Sequence, residues 1–306
     1  MKKDLISIRD LSAEEIGEIF SLTSRLKKNK ARFSRALAGK SLALVFQKPS
    51  NRTRVSFEVG MYQLGGNSIY LSPDEINLGV REGIGDAAKT LSRYVDAIAL
   101  RTYAHADVIK MAEYASVPVI NGLSDFSHPC QALADLYTIK ERFGSFKGIT
   151  LAYIGDGNNV CNSLLFASAR MGLNMHVAAP KGYAPAAAVL AGSEREAKKK
   201  NALIKLFHSP AEAAKNADIL YTDVWASMGQ EGQVKKRKEA FRGFQLNRQL
   251  LKLAKPKALI MHCLPAHRGQ EITDEVIDSP NSVVFDQAEN RMHAQKAVLL
   301  KLLEAN

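Results

Sequence analysis

The fold class is first visible at Thr150-Leu151-Ala152-Tyr153-Ile154, a short apolar run that is followed at once by Gly155-Asp156-Gly157-Asn158-Asn159. A continuous apolar run of this length predicts a strand that is buried on both faces. The helical pattern of Val160–Met171 comes next, so the segment predicts a strand, a turn and a helix. Repetition of this unit builds parallel sheets, and the segment therefore predicts an α/β fold.

The same alternation extends in both directions along the chain. Further apolar runs predict strands at Ser41–Phe46, Ser68–Leu71, Ala97–Leu100, Val117–Ile120, His176–Ala179, Ile204–Phe207, Ile219–Thr222, Ala258–Met261 and Val283–Phe285. Further amphipathic stretches predict helices at Ser12–Lys28, Arg52–Leu64, Pro129–Phe143 and Asn290–Leu303. So many strands rarely share one open sheet, and we therefore expect two domains, each a parallel sheet flanked by helices.

A polar segment flanked by glycines, Gly144-Ser145-Phe146-Lys147-Gly148, is the best candidate for the domain boundary. A new strand and helix begin directly after it, as expected where one domain ends and another starts. We expect domains at residues 1–143 and 144–288, with the helix Pro129–Phe143 connecting them. The length of 306 residues agrees with two domains.

Composition narrows the class of protein. Hydrophobic residues make up 46% of the chain and charged residues 24%, which is ordinary for a packed globular protein. No apolar run is long enough to cross a membrane, and charged residues interrupt the N-terminal segment, so we expect neither a membrane span nor a secretion signal. The cysteines, Cys130, Cys161 and Cys263, fit a reducing compartment better than a disulfide scaffold, so we expect a cytoplasmic protein.

The net charge of +11 allows three interpretations: a solvated surface, attraction of a small dianionic substrate, or binding to nucleic acid. The basic clusters are Lys27-Lys28-Asn29-Lys30, Lys198-Lys199-Lys200 and Lys235-Lys236-Arg237-Lys238. Since aromatic residues are not interleaved with these clusters, they do not resemble a surface for base stacking. We expect solvated helix faces at all three and no binding to nucleic acid.

The segment Phe46-Gln47-Lys48-Pro49-Ser50-Asn51-Arg52-Thr53-Arg54 follows a predicted strand and opens a predicted helix. Ser50 is a good N-cap, and the free backbone N–H groups of a helix start attract anions. Two hydroxyls and two guanidiniums would complete an anion site. A capped helix with two exposed arginines explains the same spacing, which by itself favours neither interpretation.

Other motifs also lie where strands end or helices begin. Arg101 ends a predicted strand, at the sheet edge where α/β proteins bind ligands, although this residue taken alone favours interpretation as a surface arginine. His128 and Gln131 flank the start of a helix whose first residue is Pro129, and they suit either a packed helix start or a carbonyl and amide site. Arg291, near the start of the last helix, is a further candidate for the anion site.

The remaining motifs resemble a dinucleotide-binding turn and a zinc site. The turn Gly155-Asp156-Gly157 resembles half of a dinucleotide-binding fingerprint, but the third glycine is missing, so a nicotinamide oxidoreductase is a weak reading. Asn159 could present its amide to a ligand instead. The cluster His262, Cys263 and His267 suggests zinc, but no second ligand cluster supports it, and a strand-end thiol fits better.

Four segments occur in an order that resembles the signatures of the aspartate/ornithine carbamoyltransferase family: Lys48-Pro49-Ser50-Asn51-Arg52-Thr53-Arg54, His128-Pro129-Cys130-Gln131, Asp223-Val224-Trp225-Ala226-Ser227-Met228-Gly229 and His262-Cys263-Leu264-Pro265. The resemblance covers nearly the whole chain, and the last two segments resemble members that act on ornithine. It implies two α/β domains with the active site in the cleft between them, and a last helix at 289–306 that packs on the first domain. It also implies a homotrimer, or a multiple of trimers, without metal or organic cofactor.

The implied reaction transfers the carbamoyl group of carbamoyl phosphate to the δ-amine of L-ornithine, giving L-citrulline and phosphate in arginine biosynthesis. For carbamoyl phosphate the resemblance implies contacts from Ser50, Asn51, Arg52, Thr53, Asn77, Arg101, His128, Gln131, Cys263, Leu264 and Arg291. For ornithine it implies Asn159, Asp223, Ser227 and Met228. Arg101, His128 and Cys263 are the implied catalytic residues, and the proton of the attacking amine passes either to Cys263 or to the departing phosphate.

Two positions depart from the family pattern. Asn51 stands where the family usually has threonine, and a backbone N–H contact there survives the change. Asn77 stands where the family has a glutamine that reaches a neighbouring subunit, and its side chain is one methylene shorter. A different amine, such as putrescine or N-acetylornithine, is the closest rival substrate, but Ser227-Met228-Gly229 favours ornithine.

Overall fold

The computed structural model describes residues 3–226 and 231–304, with the backbone alone at Glu231. The chain divides into two compact units, Met1–Tyr137 with Glu289–Asn306 and Thr138–Ala288. From the sequence we expect the boundary slightly later, after Phe143. Each unit contains one parallel sheet, which confirms the expected fold class.

The first unit is built on a parallel sheet in the order β2-β1-β3-β4. Its strands are β1 (Ser41–Phe46), β2 (Asn67–Leu71), β3 (Ala97–Arg101) and β4 (Val119–Leu123). Strands β1 and β3 are buried along almost their whole length, as their continuous apolar runs predict, whereas the edge strand β2 keeps exposed side chains. The helices of this unit are α1 (Ala13–Lys28), α2 (Asn51–Gln63), α3 (Pro73–Ile76), α4 (Ile84–Leu91) and α5 (His105–Tyr114).

The second unit is built on a parallel sheet in the order β7-β6-β5-β8-β9. Its strands are β5 (Thr150–Ile154), β6 (Asn174–Ala178), β7 (Ile204–Phe207), β8 (Ile219–Thr222) and β9 (Leu259–His262). Its helices are α7 (Asn159–Met171), α8 (Ala187–Lys199), α9 (Pro210–Ala214), α10 (Val234–Ala240), α11 (Arg248–Leu251) and α12 (Asp274–Ile277). Apolar side chains such as Leu220, Ile260 and Phe241 form its core.

Two helices belong to both units along the chain. The division between the units falls within α6 (Pro129–Phe143) and within α13 (Val284–Leu303). Most of α13 lies in the first unit, so the C-terminal residues belong to the same compact body as β1 to β4. Three short 3-10 helices complete the described elements: Ile8–Asp10, Ala31–Phe33 and Glu231–Gln233.

The predicted strand at Val283–Phe285 is wrong, because α13 already begins at Val284. One backbone hydrogen bond, from the Val283 N–H to the Ile260 carbonyl at 3.0 Å, places this residue beside β9. The chain then turns directly into the helix. Three apolar residues are too few to distinguish the period of a strand from that of a helix.

The order of the strands fixes where a ligand can bind in each unit. In the first sheet the order in which successive strands are added reverses between β1 and β3, and in the second it reverses between β5 and β8. The loops that follow such a pair of strands leave a crevice at the carboxyl edge of the sheet, where α/β proteins bind their ligands. Arg101 ends β3, and the motifs at Ser50, Gly155 and Asp223 follow β1, β5 and β8.

None of the described helices has the length and apolar composition needed to span a membrane.

Candidate active site

The N-terminus of α2 forms the first part of the candidate site. Ser50 is the N-cap, and its hydroxyl accepts a hydrogen bond from the backbone N–H of Thr53 at 3.4 Å, which confirms the predicted cap. The first N–H groups of a helix lack partners inside the helix, and the helix dipole adds partial positive charge there. We call residues 50–53 the anion cradle. Within it, Asn51 is exposed and Arg52 is half-buried.

Two buried guanidiniums converge on the hydroxyl of Thr53. Arg101, the last residue of β3, places Nη1 3.4 Å from Thr53 Oγ1, and Arg291 on α13 donates from Nη2 to the same oxygen at 2.6 Å. Both arginines are at most 5% exposed, so reading Arg101 as a surface residue is wrong. The structure thus brings together candidates that are far apart in the sequence.

The charges at the anion cradle repel one another. Burial, together with the neighbouring charges of Arg291 and Arg52, lowers the pKa of Arg101 to about 9. A bound anion would offset both the lost hydration and the repulsion between the guanidiniums. The arrangement therefore favours a strongly anionic ligand such as a phosphate.

His128 precedes the first residue of α6 and is almost completely buried. Burial holds the pKa of its imidazole well below the ordinary value of 6.5, and the charges of Arg291, Arg101 and Arg52 act in the same direction. The ring is therefore neutral at neutral pH. A neutral imidazole can donate one hydrogen bond to a carbonyl oxygen without placing another positive charge in the site.

Gln131 lies on the first turn of α6 and is 2% exposed. Its side-chain carbonyl Oε1 accepts a hydrogen bond from Arg291 Nη1 at 3.2 Å, and its Nε2 donates to Asp135 Oδ1 at 2.8 Å. Because Arg291 also contacts Thr53, one guanidinium joins Gln131 to the anion cradle. The predicted amide group therefore lies beside the predicted anion site.

Asn77 lies in a different part of the first unit. It ends the short helix α3 in the left-handed conformation, with φ of 40°, and its side chain is exposed. The next residue, Leu78, is buried, and its carbonyl accepts a hydrogen bond from Gln47 Nε2 at 3.1 Å. This contact anchors the loop to the end of β1 while Asn77 faces outward.

In the second unit the candidate binding residues surround Asp223, which follows β8 and is 6% exposed. Its Oδ1 accepts hydrogen bonds from the Val224 backbone N–H at 2.8 Å and from the Cys263 thiol at 3.0 Å. Its Oδ2 accepts from Asn158 Nδ2 at 2.7 Å. The carboxylate is thus held by groups from the loops after β5, β8 and β9, and it can attract a cationic ligand.

Asn158, which the sequence analysis did not assign to the site, positions this region. Its Oδ1 caps α7 by accepting from the N–H groups of Val160 and Cys161, at 3.0 and 3.1 Å. The predicted ligand residue Asn159 is the first residue of α7 and is 9% exposed. Gly157 is required for packing, since a Cβ there would lie 2.2 Å from the backbone nitrogen of Pro185.

The side chain of His262, the last residue of β9, is fully buried and stabilises the loop that follows this strand. Its Nδ1 accepts a hydrogen bond from the Leu264 N–H at 2.8 Å, and its Nε2 lies 3.2 Å from Glu271 Oε1. Leu264 has φ of 57° and precedes Pro265 through a cis peptide bond. This backbone orders the segment that carries Cys263.

Asp223, His262 and Cys263 offer ligand atoms that lie within 4.8 Å of one another, so this donor set must be tested as a metal site. Both ring nitrogens of His262 are already used, one by a backbone N–H and one by Glu271. A metal at this position would have to displace one of these buried contacts. The set therefore fits a resident metal poorly, and His267 is exposed rather than part of it.

Arg237 corrects one expectation of the sequence analysis. The cluster Lys235-Lys236-Arg237-Lys238 was expected to be a solvated helix face, but Arg237 is 7% exposed. Its Nη1 lies 3.0 Å from Asp156 Oδ2 and donates to the Trp225 carbonyl at 2.8 Å. The burial of Arg237 could not be predicted from the sequence, because a basic residue within a lysine-rich run shows the same pattern whether it is buried or exposed.

Asp156 is the buried partner of Arg237. Burial raises its pKa to about 6, against the lowering effect of the arginine. The pair connects the loop after β5 with α10, and Arg237 also binds the backbone at Trp225, two residues after Asp223. These contacts stabilise the backbone around the predicted amino-acid site. The predicted site residues Ser227 and Met228 lie outside the described residues.

Comparisons with known proteins match the two units to two different binding domains. Residues 3–141 match the carbamoyl-P binding domain of aspartate/ornithine carbamoyltransferase, and residues 147–302 match its Asp/Orn binding domain. The ornithine carbamoyltransferase of Pyrococcus horikoshii is 54% identical over 303 residues, which are 98% of this chain and 96% of that protein. That of Bacillus cereus is 52% identical over 302 residues, which are 99% and 95% of the two chains.

A solved structure shows the same fold. The ornithine carbamoyltransferase from Pyrococcus furiosus superposes with a TM-score of 0.96 at 53% identity, covering 99% of this chain and 97% of that one. The structure thus has the two-domain architecture of a carbamoyltransferase. The chain belongs to the aspartate/ornithine carbamoyltransferase family. The family membership predicted from the motifs is confirmed.

Proposed function

We propose that the chain catalyses transfer of the carbamoyl group from carbamoyl phosphate to the δ-amine of L-ornithine, giving L-citrulline and phosphate. The observation that carries this proposal is the convergence of Arg101 and Arg291 on Thr53 at the start of α2, with His128 and Gln131 beside it. This set provides an anion site, a carbonyl site and an amide site within one compact unit. Carbamoyl phosphate carries all three groups.

The phosphate is held by the anion cradle. Backbone N–H groups at the start of α2, the hydroxyls of Ser50 and Thr53, and the guanidinium of Arg52 bind its oxygens, and Asn51 contributes its backbone N–H. Arg101 contacts both the phosphate and the carbonyl oxygen, and Arg291 closes the same pocket. The assignments of Asn77, Cys263 and Leu264 to this substrate stay predictions from the family resemblance.

The carbonyl oxygen of carbamoyl phosphate accepts hydrogen bonds from Thr53, Arg101 and neutral His128. When the amine attacks the carbonyl carbon, negative charge collects on this oxygen, and donors fixed in advance stabilise it. Removal of one donor from comparable sites costs about 3 kcal/mol. The carbonyl group of Gln131 accepts from the carbamoyl NH₂ group.

Ornithine is bound by the second unit, where Asp223 faces its α-ammonium group and Asn159, Ser227 and Met228 make further contacts. The δ-amine attacks in its neutral form, so a carbon–nitrogen bond forms as the carbon–oxygen bond to phosphate breaks. The bonding electrons leave with the phosphate, and the amine proton passes to Cys263 or to the departing phosphate.

The identity of the amine is tested by citrulline formation from carbamoyl phosphate and L-ornithine, run beside putrescine, N-acetylornithine and L-aspartate. We expect turnover with ornithine that exceeds the others by at least about 100-fold, since putrescine and N-acetylornithine lack the free α-ammonium group that contacts Asp223, and L-aspartate lacks a δ-amine. Faster turnover with another amine would retain the phosphate site and overturn the assignment of the second unit.

We propose that copies of the chain assemble as a homotrimer. On α2, Val55 is 54% exposed and Tyr62 is 81% exposed, and Ile69 on the edge strand β2 is 45% exposed. Val55 and Tyr62 are seven residues apart on α2 and so share one face of the helix, and exposed apolar groups that share a face are typical of an interface between subunits. Tyr62→Glu is expected to shift the molar mass measured by light scattering from three chains toward one, and an unchanged mass would contradict this assembly.

The anabolic reaction in the cytoplasm is the physiological role that we propose. An ornithine carbamoyltransferase of Pyrococcus furiosus that is 54% identical to this chain is described as anabolic. Expression of this chain in an arginine auxotroph that lacks citrulline synthesis is expected to restore growth without arginine. Failure of an active enzyme to restore growth would point to the reverse, phosphorolytic direction.

A further inference from the structure

We propose that Asp135 is a positioning residue that fixes the orientation of the Gln131 amide and so makes the site select a carbamoyl group over an acetyl group. This inference rests on the proposed function and deepens it. Asp135 does not touch the substrate in this account. It acts through Gln131, four residues earlier on the same face of α6.

The direction of the Gln131 amide is determined by two partners of opposite character. The Asp135 carboxylate has only acceptor oxygens, and it lies 2.8 Å from Gln131 Nε2, so it must receive a hydrogen bond from the NH₂ end of the amide. The Arg291 guanidinium has only donors, and it lies 3.2 Å from Oε1, so it must donate to the carbonyl end. A reversed amide would set donor against donor and acceptor against acceptor.

Burial makes this orientation costly to reverse. Gln131 is 2% exposed and Asp135 is fully buried, so water cannot replace a lost partner easily. Loss of a hydrogen bond to a buried carboxylate destabilises the folded state, because no water replaces the missing donor. Asp135 and Arg291 together therefore control which end of the Gln131 amide is offered to the neighbouring anion cradle.

The carbonyl end is offered where the substrate amide is expected. Arg291 donates through Nη1 to Gln131 and through Nη2 to Thr53, so the Gln131 carbonyl and the cradle hydroxyl border the same guanidinium. A carbonyl oxygen can accept two hydrogen bonds, and Arg291 supplies one. The second suits an N–H of a carbamoyl group, which an acetyl group lacks.

Two stable phosphonates isolate this single contact. Phosphonoacetamide and acetonylphosphonate have the same phosphonate and carbonyl groups, and they differ only in carrying NH₂ or CH₃. Their dissociation constants are measured by isothermal titration calorimetry on the full-length protein, with inorganic phosphate as the reference for the anion cradle. We expect the wild type to prefer the amide by about tenfold or more, the value of one buried hydrogen bond.

Asp135→Asn is the main variant, because asparagine can either donate or accept and leaves Arg291, of the two partners, alone to orient Gln131. We expect the preference for the amide to fall by about threefold or more, while phosphate binding stays within about twofold of wild type. Asp135→Glu, which keeps a carboxylate, is expected to retain part of the preference. Glu141→Gln, which alters an exposed carboxylate on the same helix, is expected to retain all of it.

A purely structural role of Asp135 predicts a different pattern. Both phosphonates and inorganic phosphate would then weaken together in Asp135→Asn, with the preference between the two phosphonates unchanged, and this result would overturn the inference. If this variant does not fold, Asp135→Ser provides the same test, since a hydroxyl also donates or accepts.

The wild-type protein separates failure of this inference from failure of the proposed function. Wild-type protein that forms citrulline but shows no preference between the two phosphonates overturns the role of Asp135 alone. Wild-type protein that binds neither phosphonate and forms no citrulline overturns the proposed function as well.

Discussion

Arg291 Nη2 donates a hydrogen bond to the Thr53 hydroxyl at 2.6 Å, although the two residues are 238 positions apart in the chain. The C-terminal helix α13 thus contributes a charged group to the start of α2 within the same compact unit. Since Arg101 approaches the same hydroxyl, Thr53 is the common acceptor of two buried guanidiniums. This relationship explains why a motif near residue 50 requires residues from the end of the chain.

Arg291→Met is expected to weaken carbamoyl phosphate binding more than it weakens the fold. It removes a donor from the pocket, and we expect kcat/KM for carbamoyl phosphate to fall by about 100-fold. It also removes a charge that repels Arg101, so we expect Tm without ligand to change by less than about 3 °C. Initial rates and thermal denaturation check both values. A large loss of Tm with unchanged kinetics would contradict this role.

His128→Asn is expected to lower kcat by about 100-fold without moving the acid limb of the pH profile. Burial keeps the pKa of His128 well below 6.5, so the imidazole stays neutral as the pH falls from 8 to about 6.5, and asparagine is neutral as well. The profile of kcat against pH for both proteins is the measurement. An acid limb that disappears in His128→Asn would show that this histidine titrates during catalysis.

Arg237→Met is expected to raise the KM for ornithine by about tenfold or more while leaving the KM for carbamoyl phosphate within about twofold. The variant leaves Asp156 buried without its cation and releases the Trp225 carbonyl, and a buried charge that loses its partner disturbs its surroundings strongly. Lys236→Met, an exposed neighbour on α10, is the matched control. Equal effects of the two variants would contradict a specific role for Arg237.

The Asp156–Arg237 pair also predicts a pH dependence. Because the pKa of Asp156 is about 6, its carboxylate gains a proton as the pH falls below that value and the ion pair weakens. L-Norvaline, which has the shape of ornithine without the δ-amine, is expected to bind more weakly to the wild type at pH 5.5 than at pH 7. In Arg237→Met this difference is expected to shrink. The same loss in both proteins would assign the effect to another group.

Lys296→Met is expected to change how stability depends on pH. Burial lowers the pKa of Lys296 to about 8, and its Nζ donates to Gln63 Oε1 at 2.7 Å. Below pH 8 the lysine is charged in both states and its cost is constant, whereas between pH 8 and 10.5 the folded state alone loses the proton, so wild-type stability gains. We therefore expect Tm of the variant minus Tm of the wild type to decrease across that range.

A matched control accompanies this measurement. Lys28→Met, at an exposed position of α1, is expected to leave the pH dependence of Tm the same as in the wild type. A difference between Lys296→Met and wild type that stays constant from pH 7 to 10 would contradict the lowered pKa.

Strands buried on both faces were predictable from the sequence, because nearly all of their residues are apolar. The runs at Ser41–Phe46, Thr150–Ile154 and Ile219–Thr222 have the same bounds in the structure, and so does Ile204–Phe207, although it is a half-buried edge strand. The run at Val283–Phe285 failed because it was too short to show a period. The apolar pattern of the sequence therefore predicted the sheets, whereas the start of α13 could not be predicted from so short an apolar run.

The candidate site was predictable only where a motif carried it. The start of α2 and the loop after β8 follow strands in the sequence, so Ser50 and Asp223 could be found from position alone. Asp135 and Arg237 could not, because each acts through a partner that only the folded chain brings near. Asp135 and Arg237 differ from other charged residues in being buried, and the burial of a charged residue cannot be predicted from its neighbours in the sequence.

Single-turnover formation of citrulline from ¹³C-carbamoyl phosphate is the decisive measurement of carbamoyl transfer to ornithine. We predict that wild-type protein with L-ornithine converts the label to ¹³C-citrulline with one phosphate released per citrulline, and that Arg101→Gln lowers the rate by about 1000-fold. Release of phosphate without labelled citrulline, or equal rates in the two proteins, would contradict the account.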